Sequence, residues 1–286
     1  MPLLLKGLLA QLDATTLAWC RQIGCGSLMA LYFGWRRNVR WSDFLQRDVL
    51  WLVAICTIGM TMNSLLFNIG LQYVTPSTPQ VLGQLGPVLV LLGAVWIFKE
   101  SFTRQQWFGA ALAVSGLAIF FHDHISDLAH MSGFGYGMIL VTVAPFFWAA
   151  YALAQKHLTG RLDAQHVLMV VYLIGNFALL PLAAPSRVLA LNAVGWMLLA
   201  GTIVIYLLSY ITLGTAMAHW EASRVSAMIT LSPLLTLLLT HVLAIALPNY
   251  LAPEHHDLIS WCGAALVVIG SFMAALPRRS YVASAV

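Results

Sequence analysis

Charge is what this chain has least of. Only 8% of its 286 residues are Asp, Glu, Lys or Arg, against 60% hydrophobic, whereas a water-soluble domain carries about 25% charged residues. So little polar surface cannot cover a globule in water. The strict apolar–polar alternation of a membrane β-barrel is also missing. Instead, apolar runs long enough to cross roughly 30 Å of hydrocarbon recur along the whole length. The chain therefore reads as an all-α polytopic membrane protein. Cysteine is scarce as well. Cys20, Cys25, Cys56 and Cys262 all fall inside apolar runs, without metal-ligand spacing or a loop position suited to a disulfide. No small-residue cleavage site precedes the first span, so no cleavable signal is expected. No phosphate-binding loop of the G-x-x-x-x-G-K-S/T type occurs, which argues against ATP-driven work. The net charge of +4 sits in short loops flanking apolar segments and is no nucleic-acid footprint.

What is present is a duplicated set of spans. Apolar segments fall at about 13–35, 49–73, 77–98, 105–121, 133–155, 165–184, 192–218, 223–247 and 258–276. Residues 1–12 are apolar but reach only about 18 Å as a helix. Pro87 is answered 146 positions later by Pro233, and the run Gly109 to Gly116 (GAALAVSG) by Gly263 to Gly270 (GAALVVIG). The Pro-to-Gly distance is 22 residues in the first copy and 30 in the second, so the second elbow carries an insertion of eight. Lys6 precedes Asp13 by seven residues, as Lys156 precedes Asp163. A full span leads into Lys156 and five residues into Lys6, so Met1 is expected to lie inside what would be the first helix. The expectation is nine full spans plus a fragment, with repeats at 1–121 and 133–276.

Charge suggests orientation. Arg36, Arg37, Arg40, Arg47, Lys99, Arg104, Lys156, Arg161, Arg224, Arg278 and Arg279 flank one set of loop ends, and Arg187 alone flanks the other. The positive-inside rule places the first set, with the C-terminus, in the cytoplasm. Five helices per repeat is an odd number, so the copies insert in opposite senses, as in many secondary transporters with a substrate site near the midplane.

The order of a short span, K…LDA, an Arg-containing second span and GLQYV…PVL…FKESFT…WFGAALAVSG resembles the EamA-type members of the drug/metabolite transporter superfamily over nearly the whole chain. The second repeat departs from the pattern: the position equivalent to Glu100 falls near Ala246, followed by the inserted PNYLAPEHH. The resemblance implies an inverted five-plus-five helix bundle in the bacterial inner membrane. It also implies movement of small metabolites, often amino acids and more often outward, by exchange or proton coupling.

Candidate residues have a functional and a plain structural reading. Arg21, about eight residues into a span, is a counter-charge for a substrate carboxylate or a structural pair. Lys6 would lie near Arg21 in an anion-attracting vestibule, or at the membrane interface. Asn68 and Gln72 share a helical face near Ser64, and Gln80 and Gln84 repeat that spacing before Pro87; these amides line a cavity or join helices. Tyr206 and Tyr210, four apart, along with Trp148 and Tyr151, stack on a substrate or fill the core. His241, mid-span, is a candidate proton-coupling group or a neutral hydrogen-bonded histidine. Pro87 and Pro233 mark helix kinks. The small faces Gly109, Ala113, Gly116, Gly263 and Gly270 allow close helix approach, within the protein or in a homodimer. His122, Asp123, His124 and His130, with Glu254 to Asp257, fit no standard metal site, and neither a metal nor a cofactor is expected.

The leading expectation is a secondary transporter exporting an amino acid or similar metabolite, with Arg21, Asn68, Gln72, Gln84, Tyr206 and Tyr210 at the substrate. A multidrug or lipid-head-group transporter of the same fold, and a non-transporting scaffold or sensor, are the competing classes. An enzyme is disfavoured, because no nucleophile–base pair converges inside the spans.

Overall fold

The computed structural model of the chain describes residues 1–36, 39, 41–99, 103–122, 130–221, 225, 228, 229 and 258–276. The body of the span expected at 223–247, with Pro233 and His241, lies outside these residues. So do Arg37, Arg40, Glu100, Asp123, His124, Arg224, Ala246, the loop groups at 254–257, and Arg278 and Arg279. Among the described residues every regular element is a helix. The first repeat holds α1 (Pro2–Leu9), α2 (Ala14–Arg36), α3 (Arg47–Tyr73), α4 (Ser77–Leu82), α5 (Leu85–Phe98) and α6 (Arg104–Phe120). The second holds α7 (Gly133–Leu158), α8 (Ala164–Leu179), the short α9 (Pro185–Leu189), α10 (Ala193–His219) and α11 (Leu258–Ala275). Five stretches among the described residues are long and apolar enough to cross a membrane: Arg47–Tyr73, Ser77–Phe98, Gly133–Leu158, Ala164–Leu182 and Ala193–His219.

Equivalent helices cross in opposite directions, so the two copies are inverted. On α6 and α11, Gly109 lies against Gly270 and Gly116 against Gly263, antiparallel and backbone to backbone. A methyl group on Gly116 would stand 2.6 Å from Val267 N, and one on Gly109 2.6 Å from Gly270 O. Only glycine allows that approach, so these small faces are occupied inside the chain. Both ends of the crossing are pinned. Gln106 Nε2 donates to Leu276 O (3.2 Å) and the Ser260 hydroxyl to Phe120 O (3.4 Å). α2 and α8 also run antiparallel, with Gly26 beside Tyr172 and Gly175 beside Gln22. α3 pairs with α7 through Gly59 and Gly70, and the equivalent α10 pairs with α1 around Gly7 and Gly195.

The K…LDA motif turns out to be a pair of helix caps in both copies. Lys6 Nζ donates to Val74 O, the residue that ends α3. Lys156 Nζ donates to Met217 O (2.7 Å) and Trp220 O (2.8 Å) where α10 ends. The last carbonyls of a helix lack internal donors and carry the negative end of its dipole, so a lysine is favoured there. This replaces the vestibule expected for Lys6 beside Arg21. Asp13 accepts from Thr16 N (2.8 Å) at the start of α2, and Asp163 from Gln165 N (2.8 Å) at the start of α8. Such N-caps stabilise a helix by about 1 kcal/mol each. Two ion pairs then tie one repeat to the other at opposite ends of the bundle: Asp13 with Arg187 (3.4 Å) and Asp48 with Arg161.

Candidate functional site

The span Ser77–Phe98 is interrupted within its apolar run. Pro87 has no N–H to give to Gly83 O, and its ring crowds that carbonyl. Gly83 O accepts instead from Gly86 N (3.0 Å), and Gln84 N turns to Val81 O (3.1 Å). α4 therefore stops at Leu82 and α5 starts at Leu85. The expected kink at Pro87 is a two-residue break at Gly83–Gln84. α7 carries a second interior proline, Pro145, opposite this break.

Between the two prolines lies a cavity of about 260 Å³. Asn63 and Phe67 of α3, Gln80, Gln84 and Pro87 around the break, Val141, Pro145 and Trp148 of α7, and Tyr210 of α10 line it, with Ile229 at one edge. Both repeats contribute, near mid-length on α3, α7 and α10. Gln84 is 3% exposed, and its Oε1 has no hydrogen-bond partner among the described residues.

Behind Tyr210 stands a stack of buried rings. Arg21, 4% exposed, lays its guanidinium carbon 3.8 Å from the centroid of Tyr206. Tyr206 lies 4.6 Å from Tyr210 and 6.0 Å from Tyr172, and Tyr210 lies 5.6 Å from Tyr151. Four helices thus meet at one cation. A desolvated cation–π contact is worth about 2 kcal/mol. Arg21 Nε has no hydrogen-bond partner among the described residues, while the tyrosine hydroxyls turn toward one another and toward Ser64 and Gln155. The cluster therefore keeps one donor, on Arg21, for a further bond.

The expected site residues divide accordingly. Gln84 and Tyr210 line the cavity, with Pro87 beside them, and Arg21 and Tyr206 stand one layer behind Tyr210. Asn68 is fully buried; its Nδ2 donates to Ala14 O (3.4 Å) and its Oδ1 has no partner among the described residues. Gln72 is exposed, one residue before α3 ends. The structure does not bring it to the cavity, because the last turn of α3 packs on α7 through Gly70 and Tyr73 and leaves the Gln72 side open. One further residue comes with the site: Pro145, which follows from the same proline rule as Pro87. Gln155 and Asn176 are buried amides of α7 and α8 outside the cavity lining.

At the end bearing Arg187, the Asp13 carboxyl is pushed up by burial. The two hydrogen bonds from Thr16 and the nearby Arg187 outweigh that push, so the group lies below the ordinary carboxylate value of 3.8.

Two inverted helical repeats, with a broken helix and a mixed polar and aromatic cavity between them, make a membrane transporter. The chain belongs to the EamA-like transporter family, whose model matches residues 1–122 and 135–276. It is 33% identical to the uncharacterized inner membrane transporter YhbE of Escherichia coli K12 over 284 residues, 98% of this chain and 88% of that protein. It is 32% identical to an uncharacterized transporter of Haemophilus influenzae over 282 residues, 98% of this chain and 91% of the other. A solved crystal structure, 15% identical in sequence, superposes with a TM-score of 0.63 over 96% of this chain and 94% of that one. That likeness concerns the fold alone.

Proposed function

We propose that the protein is a secondary transporter that exports an amino acid or similar small metabolite across the bacterial inner membrane by alternating access. The observation that carries this reading is the cavity between the repeats, walled by Asn63, Gln80, Gln84, Trp148 and Tyr210. Its volume of about 260 Å³ lies below the roughly 300–1,000 Å³ typical of drug-sized ligands, which favours a metabolite over a bulky drug. Its amides favour a polar cargo. Rocking of one repeat against the other would expose the cavity to each side in turn, with the break at Gly83–Gln84 as a hinge. The arginine-rich loops and the C-terminus face the cytoplasm in this reading. Arg21 holds the tyrosine layer that forms one wall, and supplies the positive end of the site through it.

The test is counterflow of radiolabelled amino acids in proteoliposomes, with wild type, Gln84→Leu and Arg21→Ala side by side. Saturable counterflow of one class, lost in Gln84→Leu, supports the reading. Transport of hydrophobic cations with no amino-acid flux overturns it.

A further inference from the structure

One end of the cavity gathers acceptors and aromatic faces beside the amides of Asn63 and Gln80. Gln84 Oε1 is buried there without a partner among the described residues. Pro145 has no N–H, so the carbonyl of Val141, one helical turn earlier and also in the wall, misses its donor. Trp148, one turn beyond Pro145 on the same face, presents its indole beside them. Gly86 lets the ring lie there: a methyl group at that position would stand 2.8 Å from Trp148 Cε3. Tyr210 adds a second ring. An unpartnered amide oxygen, a carbonyl without its helical donor and two π faces lie along one stretch of wall, and none of the described lining residues is charged. An amide or hydroxyl ligand would satisfy the oxygens and gain little from the rings. A cation with N–H groups satisfies both.

The geometry points to an ammonium-binding subsite formed by Gln84, Val141 and Trp148, with Pro145 as a specificity-determining residue that keeps the Val141 carbonyl free. This rests on the reading of the cavity as the transport site. Arg21 stands on the far side of the Tyr206–Tyr210 pair. A zwitterion, which brings a negative end of its own, is therefore favoured over a simple amine.

The test uses matched probes on the purified full chain in detergent, with binding read from the concentration dependence of the melting temperature. The probes are alanine, leucine and phenylalanine, each with its decarboxylated amine and its deaminated acid. The amino acids are expected to bind most tightly, the amines more weakly, and the deaminated acids not at all. Gln84→Leu should weaken the ammonium-bearing probes about tenfold, the loss of one charge-assisted bond. Pro145→Ala, which gives Val141 O its helical donor, should weaken them about fivefold, less because the carbonyl keeps a second lone pair. Trp148→Leu is the second variant should Pro145→Ala fail to fold, with the same direction expected. Deaminated acids that bind as tightly as the parents, no binding of any ammonium probe, or unchanged affinities in the folded variants would each overturn the subsite. The two readings fail separately. Counterflow of a cargo without an ammonium group, uncompeted by the amines, removes the subsite and leaves transport standing. Ammonium binding that Gln84→Leu abolishes, with no counterflow of any bound probe, removes transport and leaves the subsite.

Discussion

α3 and α10 hold equivalent places in the two repeats and are both 27 residues long, yet they are covered very differently. In the apolar stretch of α3, 44% of residues are buried, and in that of α10, 28%. Among the described residues α3 lies along one long partner, α7, of 26 residues, whereas α10 divides its packing among α1, α2 and α8. The joints at their ends are nonetheless the same, a lysine on the last carbonyls and an aspartate cap on the next-door helix. Shared end chemistry fixes where each helix stops, and one long partner hides more of a helix than several crossing ones.

Single substitutions can break or sharpen that comparison. The largest effect is expected at Gly59 of α3, where an added methyl would stand 2.7 Å from Phe147 O on α7. Gly59→Ala should lower thermal stability in detergent by about 3 kcal/mol. Gly201→Ala on α10, with no atom of the described residues within 4 Å of an added methyl, should be neutral or stabilising by up to about 1 kcal/mol. Equal losses at both positions would remove the contrast. Next come the lysines. Lys156→Met should cost about 2 kcal/mol, because two carbonyls of the thinly covered α10 lose a charged donor, and Lys6→Met about 1 kcal/mol. Melting curves of the pair check the order.

A smaller effect, about 1 kcal/mol, is expected for Asp13→Asn. Its sign with pH is fixed: the folded carboxyl lies below 3.8, so its contribution is present above that value and is lost as pH falls through the folded one. The melting-temperature gap to wild type should be constant from about pH 5 upward and shrink below pH 4. The smallest effect belongs to the exposed Asp48–Arg161 pair. Arg161→Gln should leave the melting temperature nearly unchanged, and any difference should fade in 1 M salt.

Much of this architecture is legible in the residues because bilayer physics is blunt. Length and apolarity place α2, α3 and α6 to within a turn, and the GAALAVSG and GAALVVIG runs announce a close crossing. The break in the Ser77–Phe98 span is legible too, since a proline disables the carbonyl four residues earlier. The site is less so. Arg21 reads as an expensive buried charge, but its partner, Tyr206, is 185 positions away, and a ring face carries no sequence signature. Asn68 and Gln72 look alike by spacing, and the end of α3 separates them by leaving Gln72 uncovered. Lys6 reads as part of a vestibule because the competing demand of α3's last carbonyls is invisible without its packing. Pro145 carries the same proline signal as Pro87, and its place at the site shows only once α7 lies beside the break at Gly83–Gln84.

Gln106 and Ser260 occupy the same place in the two copies, and each bonds the far end of the other's helix. With Gly109 on Gly270 and Gly116 on Gly263, the contact is isologous, the form found between identical subunits about a twofold axis. Here the axis runs inside one polypeptide. An interface of this kind is drawn twice from one pattern, so a change that suits one copy is tested at once against its image. A side chain added on either helix therefore meets the backbone of its own image on the other.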